Sequence, residues 1–172
     1  MKHIILTSLL VAATAFTTAA ADRGESRLTR EVRHELRGLP YYGVFDILQY
    51  RVEGNKITLT GMVTRPKLKA DAEAAVKGIE GAEKVDNRIE VLPLSPEDDR
   101  IRLEAYRAIY GHPALNRYGL NATLPIHIIV KSGNIELAGT VNSELDKTLA
   151  GTQVKSISGG HAVVNNLTVE KD

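Results

Sequence analysis

The chain states one pattern twice. Gly54-Asn55-Lys56-Ile57-Thr58-Leu59-Thr60-Gly61-Met62-Val63 returns as Gly133-Asn134-Ile135-Glu136-Leu137-Ala138-Gly139-Thr140-Val141. From Ile57 onward the copies run in register at an offset of 78 residues (139 minus 61), which also pairs Ala72 with Ala150, Val76 with Val154, Gly81 with Gly159, Asn87 with Asn165 and Val91 with Val169. Gly-Asn tolerates positive φ, and the alternating residues after it suit a strand with one buried face, so each copy reads as a hairpin turn and its second strand. A glycine inside each strand, Gly61 and Gly139, marks a bulge or the close approach of another backbone. Two long copies specify a duplicated domain, not a solenoid.

Each copy has the same order of elements. In the first, Leu28, Val32 and Leu36 recur at helical spacing over 27–37, with Arg30, Arg33 and Arg37 on a separate stripe. Gly38-Leu39-Pro40 ends this helix, with Gly38 suited to a left-handed cap. A loop carrying Tyr41, Tyr42 and Phe45 leads to a strand over 48–52 and the hairpin. Thr64 is placed to cap a second helix with Pro66 in its first turn, and Val85 to Val91 alternates as a third strand. In the second copy Ser95-Pro96-Glu97-Asp98 starts a helix, followed by a strand over 126–130, the repeated hairpin, a helix from about Glu144 to Ser156 and a strand over 163–169. The fold class is α+β: two tandem αββαβ domains, 22–94 and 95–172, each a three-stranded sheet with two helices packed on one face.

Residues 1–21 combine Lys2, a short apolar run and Ala19-Ala20-Ala21, which predicts a secretory signal peptide cleaved after Ala21 and a periplasmic location. The apolar run is too short and too rich in Thr and Ala for a membrane span, which needs roughly 20 apolar residues. Zero cysteines exclude disulfide staples, thiolate metal sites and thiol redox chemistry. Domains of about 70 residues must then hold by their cores alone, which favours burial between them. Without Lys2 the 22 basic residues become 21, equal to the 21 acidic ones. A neutral chain has no bulk attraction for nucleic acid.

The motifs of catalysis are missing. There is no Gly-x-Ser-x-Gly elbow and no P-loop. His34, His112, His127 and His161 form no His-x-x-x-His pair, so neither a metal site nor a cofactor is expected. Gly78-Ile79-Glu80-Gly81 spells a nucleic-acid-clamping Gly-x-x-Gly, but it lies between a helix and a strand and reads as a helix cap followed by a buried Ile79.

Ile57, Leu59, Gly61, Val63, Val76, Ile79, Gly81, Val85, Asn87 and Val91, with Ile135, Leu137, Gly139, Val141, Val154, Ile157, Val163, Asn165 and Val169, resemble the repeated motif of the BON domain family. The resemblance spans nearly all of the chain after residue 21. It implies a non-catalytic envelope module that binds phospholipid surfaces or assists other envelope proteins, with no catalytic residues.

Two surfaces stand out beside that resemblance. Arg30, Arg33 and Arg37 with Tyr41, Tyr42 and Phe45 combine cations for anionic head groups with aromatics suited to the membrane interface, and they are the candidate lipid-binding residues. On the outward face of the second sheet, Ile129, Ala138 and Val164 stand where the first copy is polar, which predicts an interface. The expected partner is a phospholipid surface or an envelope protein. The alternative is a chaperone-like adaptor that binds envelope polypeptides by adding a strand to a sheet edge.

Overall fold

The computed structural model describes residues 26–121, 123–157 and 162–170. The signal-peptide segment and its cleavage site, Gly159 and His161 lie outside the described residues.

Helix α1 (Arg27–Arg37) is capped by the Ser26 side chain and buries Leu28, Val32 and Leu36, the expected stripe. It ends at Gly38 with φ −83, not in the left-handed region; Tyr41 takes that conformation instead, at φ 68. Strands β1 (Ile47–Glu53) and β2 (Lys56–Val63) pair antiparallel around Gly54-Asn55. Helix α2 (Pro66–Lys77) starts one residue later than the Thr64 cap predicts, because the Thr64 hydroxyl donates to Asp46 Oδ1 at 2.8 Å and caps nothing.

The third strand is parallel to β2 and broken in two, β3 (Lys84–Asn87) and β4 (Glu90–Val91). The break is local: between the two pieces the Arg88 N–H still donates to the Leu59 carbonyl at 2.8 Å, while the Asn87 side chain accepts from the Ile89 N–H at 3.1 Å.

The second unit repeats the plan with α3 (Pro96–Tyr110), a 3-10 turn (Asn116–Leu120), β5 (Ile126–Lys131), β6 (Asn134–Val141), α4 (Glu144–Lys155) and β7 (Val163–Val169). Its sheet runs β5-β6-β7, antiparallel and then parallel. The hairpin turn sits one residue earlier than the sequence echo implies. Lys131 pairs with Asn134, leaving Ser132 (φ 51) and Gly133 (φ 79) at the turn, the double positive φ of a type I′ turn. In the first hairpin only Gly54 is positive, at φ 60. At the 78-residue offset Lys56 answers to Asn134, each the first residue of its strand and the partner that closes its hairpin. Asp98, 2% exposed, fixes the second turn by accepting the Ser132 and Gly133 N–H groups at 3.0 and 2.8 Å.

Gly61 and Gly139 are positions of close approach. Both have φ 117, and a Cβ would stand 2.1 Å from the Ile47 carbonyl oxygen in the first case and 1.9 Å from that of Pro125 in the second.

Each unit has its own core. Ile57, Leu59 and Val63 pack with the apolar stripes of α1 and α2, and Ile128, Ile135 and Leu137 pack with those of α3 and α4. A third cluster joins the two sheets by their outward faces: Ile47, Met62 and the connecting residue Leu92 meet Ile129 and Ala138. The Ile128 N–H donates to the Val44 carbonyl at 2.8 Å, and Lys131 pairs with Glu90 at 2.6 Å across the same junction.

Candidate functional site

The junction leaves a cleft of about 410 Å³ on one side, bounded by α1 and β1 of the first unit and by the segment leading into β5 of the second. Arg33 and Arg37 come from α1, one turn apart, so both guanidinium groups reach the same side of the helix while Leu36 beside them belongs to the core. Apolar surface comes from Ile47, Leu48 and Leu124. The polar rings are Tyr42, Tyr50 and His127. No carboxylate lines the cleft among the described residues.

Hydrogen bonds and stacking set the geometry. Arg33 Nε donates to the Tyr50 hydroxyl at 3.1 Å, tying helix to strand. Tyr42 stacks on His127 with ring centroids 5.4 Å apart. Burial holds the His127 imidazole below its ordinary pKa, against the opposing pull of the Gly43 and Asp46 backbone and the Asp46 carboxylate, so the ring is neutral at pH 7. Its Nδ1 is buried with no hydrogen-bond partner among the described residues. Burial also pushes the Tyr42 phenol up, so it stays a neutral donor; the Leu48 backbone pulls the other way.

The six residues expected at a lipid site part company here. Arg33, Arg37 and Tyr42 line the cleft. Arg30 is exposed on α1 outside it. Tyr41 is 66% exposed, with the Arg65 guanidinium 5.0 Å from its ring centroid. Phe45 belongs elsewhere: it packs edge-on against Tyr106 at 6.3 Å, on the core of the second unit. Sequence reasoning missed Tyr50, Leu124 and His127 as cleft residues, because Tyr50 lies in the core phase of its strand and the other two come from the opposite copy.

Of the interface residues, Ile129 and Ala138 are 1% and 5% exposed in the joining cluster. Val164 is not part of it, at 49% exposed. Among the described residues the joining cluster draws on β5 and β6, and β7 lies at the far edge of the sheet.

Among the described residues no group of three His, Asp or Glu side chains could hold a metal ion, and no helix is long and apolar enough to cross a membrane.

Two solved structures of CdsD, a structural protein of the type III secretion system of Chlamydia trachomatis, are similar to this chain. One, of the C-terminal domain, is 13% identical, covering 87% of this chain and 100% of that one, with a TM-score of 0.30. The other is 12% identical over 83% and 92%, also with a TM-score of 0.30. Overlaps this low carry no argument about fold or function. No curated protein matches the chain. The BON domain profile matches residues 24–93 and 113–171. BON domains are non-catalytic modules known for binding phospholipid or envelope components, and they occur in periplasmic and envelope proteins. With both of its repeats matched, over more than half of its length, the chain belongs to the BON domain family and carries two BON domains in tandem.

Proposed function

We propose that this protein is an exported, non-catalytic module of the periplasm that associates with anionic phospholipid surfaces, a phosphate head group entering the cleft beside Arg33 and Arg37. The observation that carries this reading is the pairing of two guanidinium groups with an apolar wall and neutral ring donors, in a cleft that no carboxylate of the described residues lines. A guanidinium offers a planar fork of donors that matches phosphate oxygens, and it is weakly hydrated enough to work in a partly closed site. Leu48 and Leu124 suit the glycerol and upper acyl carbons that follow a head-group phosphate. Exposed Arg30 adds attraction to an anionic surface, and Tyr41 on the adjoining loop supplies a ring of the kind that settles at the membrane interface.

The test is co-sedimentation with phosphatidylglycerol vesicles and with phosphatidylcholine vesicles, beside capture of unfolded outer-membrane protein. Binding to the anionic vesicles alone is expected. Capture of the polypeptide without vesicle binding would favour an adaptor for envelope proteins instead.

A further inference from the structure

The sheets leave outer strands open, and the open strands are not alike. On the first unit the third strand is broken at Arg88-Ile89 and studded with Lys84, Asp86, Arg88 and Glu90, while β1 carries Arg51 and Glu53. Breaks and charges of this kind prevent edge-to-edge pairing. The equivalent strand of the second unit, β7, runs unbroken through Val-Val-Asn-Asn-Leu-Thr-Val with no charge, proline or glycine. Only β6 pairs with it among the described residues. The protection stands in one copy and not in the other.

We infer that β7 is the seam of a homodimer, in which two copies of this chain pair their β7 strands antiparallel about a two-fold axis at Asn166 and join two three-stranded sheets into one of six strands.

The register follows from the backbone. The Ala162 carbonyl and the Glu170 N–H both bond to β6, so even-numbered residues turn their backbone groups inward, and Val163, Asn165, Leu167 and Val169 turn theirs to the open edge. Centring the pairing on Asn166 sets Val163 against Val169 and Asn165 against Leu167 as hydrogen-bonded pairs, all on the helix-covered face. Val164 then meets Thr168, and Asn166 meets itself, on the bare face. Every side chain keeps its face, the condition that decides strand register. Of the outward donors, the Leu167 N–H is already held, at 3.3 Å by the Asn165 side chain, and the pairing replaces that long bond with a backbone one.

The helix above agrees with the same axis. Asn165 Nδ2 donates to the Lys147 carbonyl at 2.7 Å and touches Gly151, so the middle of α4 lies over the middle of β7. The two-fold then runs the paired α4 helices antiparallel, with Gly151 near the axis. Self-complementarity of one patch is what a two-fold interface requires.

A chain without cysteine makes the test clean. Asn166→Cys places two thiols opposite each other at a non-hydrogen-bonded pair, whose Cα separation suits a disulfide. Under mild oxidation the full chain carrying Asn166→Cys is expected to convert to a disulfide dimer, Thr168→Cys alone is not, and a mixture of Val164→Cys with Thr168→Cys is expected to cross-link between the two variants. By light scattering the parent is expected at twice the mass of one chain, and Asn166→Lys, which opposes two cations, is expected to shift it to the monomer. A parent that stays monomeric at high concentration, or cross-linking of Thr168→Cys as efficient as that of Asn166→Cys, would overturn the inference.

Discussion

Tyr42, in the loop after α1, lies against His127 of β5, the two rings 23° from parallel across the junction between the repeats. The contact closes one side of the cleft and places a titratable ring where water is scarce. Because burial holds the folded His127 below its ordinary value near 6.5, both states are neutral above that pH and the ring has no effect on stability there. As the pH falls below about 6.5, the unfolded chain takes the proton first and stability drops until the folded ring is protonated too. His127→Phe keeps a ring for Tyr42 and removes the proton. Thermal midpoints of the parent should therefore fall relative to this variant as the pH drops below about 6.5. The carboxylates of Asp146, Glu73 and Asp86, held low by their hydrogen bonds, lose their contributions only at lower pH. Parallel curves through the upper window would show that His127 does not couple to folding.

Ile129 faces away from its own core and is nonetheless buried, against Ile47 and Leu92. Ile129→Ala should cost about 2 to 5 kcal/mol, as a buried large-to-small change. Ile129→Asp should cost more, because its charge has no partner there. Gln49→Ala, on an exposed stretch of β1, should stay within about 0.5 kcal/mol of the parent. Urea unfolding of the full chain measures all three, and an Ile129→Ala midpoint equal to the parent would mean that the sheets do not hold together through this cluster.

Three glycines separate strain from collision. Gly54→Ala meets open space and should cost only the roughly 1 to 2 kcal/mol of a left-handed residue. Gly61→Ala and Gly139→Ala add a Cβ inside the contact distance of a neighbouring carbonyl oxygen. Each should cost more than Gly54→Ala, by chemical denaturation. An equal cost at all three positions would mean that β1 and the Pro125 segment give way freely.

Much of this was legible because the repeat is structural. Asn87 and Asn165 show why it could be read: Asn87 donates to the Lys69 carbonyl at 3.0 Å, and Asn165 donates to the Lys147 carbonyl at 2.7 Å. The same side chain clips the same strand to the same helix, and such a role survives duplication as a visible letter. The alternation around Ile57 and Ile135 marked the two cores for the same reason. The cleft left no such trace, since its walls come from residues in different copies that no spacing rule connects. Phe45 reads as a surface residue in the sequence because an aromatic in a loop does not reveal which of two cores it enters. Val164 shared the strand parity of a covered face, but parity does not say how far along the sheet the cover extends.

The central claim is that the cleft, and not charge alone, engages anionic phospholipid. Arg33→Glu with Arg37→Glu reverses both cleft cations, while Arg51→Glu with Lys56→Glu makes the same change in net charge on residues outside the cleft. Each basic residue at an anionic surface is worth about 1 kcal/mol, so the cleft variant should bind phosphatidylglycerol vesicles roughly ten-fold or more weaker at about 0.15 M salt, while still folding cooperatively with a thermal midpoint lowered only by the loss of the Arg33–Tyr50 hydrogen bond. The matched variant should sediment with the vesicles as the parent does. Equal loss in both variants, or a folded cleft variant that binds as tightly as the parent, would contradict the account.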